Sequence, residues 1–143
     1  MRLRLIPAAL LVLVSGCARA ATPPPPADNT AQICAQWVAS VKPFISTGND
    51  AAPEAKAYQK AIADAYVGKE LPRAKSMAIQ RAYWSAQEKA PRALATQASS
   101  PALSAALAAY ADELAGRVTD VVPEFAGSPS PVLQQLTKIC EPG

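Results

Sequence analysis

Residues 100–118, SPALSAALAAYADELAGRV, decide the fold. Leu103, Leu107, Tyr110, Leu114 and Val118 recur at steps of three and four, which puts all five on one side of an α-helix. Ser100 offers a side-chain acceptor to the free N–H groups of a first turn. Pro101 has the fixed φ and missing donor that suit the first helical position. The stripe continues to Val121, and Pro123 is expected to end the helix. Alanine fills most positions between the large residues; it favours helix strongly but brings little burial energy. Helices with such small flanks can approach one another closely.

Neighbouring segments repeat the pattern. Ser130-Pro131 predicts the start of a short last helix, with Val132, Leu133, Leu136, Ile139 and Cys140 inward. Upstream, Pro72 is expected at the first position of a third helix that Pro91 should kink or break. A second helix begins with Asp50 as N-cap and tolerates Pro53 in its first turn. It turns Tyr58, Ile62, Ala65 and Tyr66 to one face and ends near Gly68. A first helix from Thr30 aligns Ile33, Trp37, Val41 and Phe44, with Cys34, Val38 and Ile45 beside them, and Pro43 bends its end. No segment alternates apolar and polar residues as a half-buried strand would, and there is no internal repeat. The expected fold is all-α, a small bundle of four to five helices.

With 143 residues the chain supports one domain. Its 50% hydrophobic content misleads, because 32 residues are alanine. From Ile33 to Ile139 there are 28 large apolar or aromatic side chains. At about 1.5–3 kcal/mol for each one fully buried, they suffice for one modest core.

The N-terminus follows a different rule. Met1-Arg2-Leu3-Arg4 is a short basic start, and Leu5 to Val14 is apolar apart from Pro7. Ten residues are too few to span a bilayer, and the arrangement is that of an export signal. Val14-Ser15-Gly16-Cys17 follows directly. This segment resembles the lipobox of bacterial lipoprotein precursors. The resemblance implies cleavage between Gly16 and Cys17, and diacylglyceryl and fatty acyl groups on Cys17, the new N-terminus. It covers this segment alone. An ordinary secretory signal, cut after Ala18-Arg19-Ala20, is the alternative. Pro23 to Pro26 then form an extended tether; residues 18–29 would reach about 35 Å at 3.1 Å per residue. The Ala- and Pro-rich, Lys-poor composition fits a high-GC bacterium of the actinobacterial kind. The expected division is 1–16 signal peptide, 17–29 lipidated cysteine and tether, and 30–143 helical domain.

Three cysteines are an odd number for an exported chain. With Cys17 given to lipid, Cys34 and Cys140 remain, and an oxidising compartment favours their disulfide over two buried thiols. No C-x-x-C pair suggests thiol–disulfide chemistry.

Other chemistry finds little support. The chain contains no histidine, which removes imidazole metal sites and His-dependent relays in cis. Formal charge is +3, and falls to +1 without Arg2 and Arg4, so nucleic acid is not an expected partner. Asp112, Glu113, Asp120 and Glu124 are the acids on which a glycan hydrolase or a carboxylate metal site would have to draw. They read better as solvated positions of an amphipathic helix. Lys75 and Ser76 are adjacent and do not face each other as a dyad. No catalytic residue, no metal and no cofactor beyond the lipid on Cys17 is expected.

The third helix is the most informative segment. Ile79, Tyr83, Ala86 and Ala90 make one apolar side, while Met77 and Trp84 make another, interleaved with Arg81 and Glu88. Met77, Arg81, Trp84 and Glu88 therefore form the candidate partner or ligand patch, with Trp84 in the core and Arg81 snorkelling past it as the plainer reading. Residues 69–92 carry six basic and two acidic side chains, and residues 93–143 carry two and five. The basic set either complements the acidic fourth helix or faces anionic lipid or wall polymer.

The sequence thus reads as a lipid-anchored protein of the cell membrane facing the extracytoplasmic side. Its helical domain reads as a non-catalytic interaction module, in an accessory or scaffold role beside an envelope protein partner. The alternative is a carrier or sensor of an apolar small molecule or lipid, lined by Trp37, Tyr58, Tyr66, Tyr83 or Trp84. A cell-wall glycan hydrolase ranks third.

Overall fold

A computed structural model describes residues 27–119 and 130–141. Cys17 and the segment that resembles a lipobox, the proline run, and Asp120, Val121, Pro123 and Glu124 lie outside the described residues. Those residues form five α-helices: α1 (Thr30–Ile45), α2 (Pro53–Tyr66), α3 (Arg73–Ala95), α4 (Pro101–Thr119) and α5 (Pro131–Cys140), with a 3₁₀ turn at Gly48–Asp50. Among the described residues there is no strand, and no helix is long and apolar enough to cross a membrane.

α3 and α4 form an antiparallel hairpin closed by the short link 96–100. Ser104 Oγ donates to the Ala95 carbonyl at 2.6 Å, and Arg92 reaches Asp112 at 3.0 Å. Leu103, Leu107, Tyr110 and Leu114, the stripe that predicted α4, are buried. Around them pack Ile33, Cys34 and Trp37 of α1, Leu94 of α3 and Leu136 of α5, with Trp37 edge-on to Tyr110 at 6.2 Å between centroids. α4 is thus the central helix. Cys34 and Cys140 are joined in a disulfide, Cα atoms 5.4 Å apart, which ties α1 to α5 across 106 residues of sequence. Ser130 Oγ caps α5 by accepting from Leu133 N at 3.1 Å, and Pro131 opens the helix as expected.

Several expectations need correction. Pro91 neither breaks nor ends α3, which continues to Ala95. A proline there forgoes one backbone bond and crowds the preceding turn, a cost of about 3 kcal/mol. Its ring is fully buried beside Leu94 and Ala95, and that packing offsets the cost. Asp50 is not a cap: it ends the 3₁₀ turn, and α2 starts after Ala52 with no side-chain cap bond. Pro72 sits one place earlier than expected, as N-cap of α3. α1 runs through Pro43 to Ile45, and the Pro43 carbonyl accepts from Ala52 N at 2.8 Å. Val38, Ile45 and Tyr66 are exposed rather than inward.

Gly68 closes α2 as expected, with φ at 73°. Its N–H donates to Ala65 and that of Lys69 to Asp64, so both orphan carbonyls are satisfied in a left-handed turn suited to glycine. At the other end of the bundle Asn29, assigned above to the tether, is already held. Asn29 N donates to Ser99 Oγ at 3.0 Å, and its Nδ2 to the Gln97 carbonyl at 2.8 Å. In return Ser99 N and Ser99 Oγ each donate to Asn29 Oδ1 at 2.8 Å.

Candidate functional site

The aromatic side chains gather where α2 crosses α3. Tyr58 stacks on Tyr83 at 4.3 Å between centroids, and Trp84 stands edge-on to both, 5.9 Å from Tyr58 and 4.8 Å from Tyr83. Phe44 of α1 closes the group against Tyr83 at 5.9 Å. The Tyr83 hydroxyl donates to the Phe44 carbonyl at 3.4 Å. Consecutive residues 83 and 84 point about 100° apart on a helix, so both reach Tyr58 of α2 while Tyr83 also meets α1 and Trp84 turns toward α4.

There Trp84 meets a cation, but not Arg81. The guanidinium of Arg117, on α4, lies 4.9 Å from the Trp84 ring centroid and is paired with Glu113 at 2.9 Å. Arg81 is exposed. Glu88 pairs with Arg92 at 2.7 Å. Met77 lines a shallow cleft with Leu71 and Arg73. The four residues singled out in α3 thus have four different surroundings. Arg117 carries no local sequence signal. A hairpin turning near residue 98 brings together positions whose numbers sum to about 200, as 92 with 112 and 95 with 104 do. By that register, 117 meets 84.

Beside the aromatic group, α2 and α3 leave an open cleft of about 420 Å³, lined by Tyr58, Ile62, Tyr66, Ser76 and Gln80 with two alanines. It continues toward the α2–α3 link, past Glu70 and Arg73. Alanine at 61 and 65 is why it exists: two methyl groups stand where larger side chains would fill the gap. Tyr66 lines the cleft at 80% exposure, and the next residue, Val67, is exposed as well. Trp37, grouped above with these aromatic residues, belongs to the core beside Tyr110 instead.

Burial raises the pKa of Tyr58, Tyr83 and Tyr110 above the usual tyrosine value. The acids of α4 are matched to cations, Asp112 to Arg92 and Glu113 to Arg117. Ser76 Oγ accepts from Gln80 Nε2 at 3.4 Å. Among the described residues no three of Asp, Glu, Cys or His gather as a metal site would require.

The described residues therefore define a disulfide-closed α-helical bundle in which α2 and α3 leave an open, aromatic-floored cleft. Compared with known proteins, the chain matches no family model, no curated protein and no solved structure.

Proposed function

We propose that the chain is a lipid-anchored lipoprotein of the bacterial cell envelope whose extracytoplasmic helical domain is a non-catalytic binding module. The observation that carries the reading is the pairing of cysteines. Cys34 and Cys140 join each other, which suits an oxidising compartment. Cys17 is left, at the one position where the lipobox pattern calls for a thiol. Within the domain, the α2–α3 cleft and its exposed rim are the surface offered to a partner. The same cleft favours the carrier reading as the alternative, since its volume and apolar lining would hold one small amphiphile.

The test begins with the full chain and its Cys17→Ala variant expressed in a bacterium. The parent is expected in the membrane fraction with a lipid-modified N-terminal peptide by mass spectrometry, and the variant is not. Equal membrane partitioning of the two rejects the anchor. Photo-crosslinkers at Tyr66 and Ile62 then separate the modules: a discrete protein adduct in intact cells supports the partner reading, whereas labelling of lipid alone supports the carrier.

A further inference from the structure

Every exposed position of α3 is an alanine or a cation. Arg73, Lys75, Arg81, Lys89 and Arg92 carry the charge, and the one acid between them, Glu88, is half-buried against Arg92. If this basic set existed to complement the acidic α4, ion pairs should run along the hairpin. Arg92 alone makes one among the described residues. Lys75, Arg81 and Lys89 have no described carboxylate within 4.0 Å. Lys75 and Lys89 stand 14 residues apart, about 21 Å along the axis. We infer that this outer face of α3 docks side-on against an anionic lipid bilayer.

Charge complementarity selects an anionic occupant, and the side chains between the cations select its kind. Ala78 and Ala82 present bare methyl groups, with no amide, carboxylate or aromatic ring to read the repeating unit of a wall polymer. A fluid headgroup layer needs no such reading; it needs cations at its surface and nothing bulky between them. Each Lys or Arg near an anionic membrane strengthens binding by about fivefold. Three such residues are weak for a free protein but sufficient for one tethered to the same surface, where effective concentration is in the millimolar range. Asn29 is held at the C-terminal end of α3, so a tether with the roughly 35 Å reach expected from the sequence would let the helix lie flat. The inference in this tethered form rests on the lipoprotein reading; the charged face itself does not.

The experiment is lysine acylation read by mass spectrometry. The mature chain is incubated with vesicles of phosphatidylcholine alone or with about one-third phosphatidylglycerol, and the mass of its N-terminal peptide records whether lipid is present. If none is, the lipid concentration is raised to roughly 10 mM to replace the tether's contribution. In anionic vesicles, labelling of Lys75 and Lys89 should fall several-fold relative to Lys42 on α1 and Lys138 on α5, and salt should restore it. The triple variant Lys75→Gln, Arg81→Gln, Lys89→Gln should weaken vesicle binding of unlipidated protein roughly a hundredfold. Its helical circular dichroism should match the parent's. Uniform labelling in both vesicle types overturns the proposal. So does protection by soluble teichoic acid without protection by vesicles.

Discussion

On one side of the bundle α1, the end of α3, α4 and α5 meet through Ile33, Leu94, Leu103, Leu107, Leu114 and Leu136, all buried, with a disulfide across them. On the other side α2 buries Ala55 alone and touches its neighbours through the faces and edges of tyrosines. Both sides obey the same helical periodicity. What separates them is side-chain volume. Alanine lets helices form and come close but leaves little apolar area to bury, so the α2 side is held by a few rings and keeps an open cleft. Leucine fills the opposite side. Stability thus concentrates around α4, and the aromatic-floored cleft lies on the less tightly packed side.

The contrast makes graded predictions. Removing the disulfide by Cys34→Ser with Cys140→Ser should cost about 4–5 kcal/mol, since it frees a closed loop of more than a hundred residues; urea unfolding measures it. A loss below about 1 kcal/mol would mean that the leucine side holds without its staple. Leu107→Ala should cost about 2–5 kcal/mol, whereas Ile62→Ala, at the half-buried cleft, should cost about 1 kcal/mol or less. Equal costs would erase the distinction between the two sides. Arg117→Gln should cost about 0.5–1 kcal/mol, because the cation over Trp84 is partly exposed. An unmoved Trp84 indole resonance in NMR spectra would reject the contact.

The smallest effect depends on pH. Burial raises the pKa of Tyr83 and Tyr110 in the folded chain above the ordinary value of 10.0. When unfolded, those tyrosines ionise first as pH rises, so above about pH 10 the unfolded state binds fewer protons and stability falls. Below that pH these residues contribute no pH dependence. Thermal unfolding at pH 9 and pH 11 should show the drop, and Tyr83→Phe with Tyr110→Phe should shrink it.

Legibility in the sequence followed the same division. α4 and α5 were readable because Ser-Pro at each start and a regular leucine stripe act within one turn of chain. The disulfide was readable from parity of cysteines. Pro91 was not, because the local cost of a proline is visible in sequence while the burial of its ring exists only in the packed bundle. Asp50 is not a cap because it is taken up by the 3₁₀ turn Gly48–Asp50, and α2 starts only after Ala52. Tyr66 has the spacing of a core residue, but it lies on the open cleft between α2 and α3 rather than in the core. Of the site, the aromatic residues of α2 and α3 could be named, but not the cation that meets them, because Arg117 lies 33 residues from Trp84.

The Asn29 clamp has a mechanical consequence. Any pull arriving through the N-terminal segment meets its hydrogen bonds to Gln97 and Ser99 first. Should they yield and Ile33 leave the core, residues 29–33 stretch from about 1.5 to about 3.4 Å each and release roughly 10 Å of slack. The force then arrives at Cys34 and divides between the rest of α1 and, through sulfur, α5. Beyond its first turn α1 cannot be unzipped alone. A load applied at the N-terminus therefore enters the domain through its leucine-packed side, with the cleft of α2 out of its line.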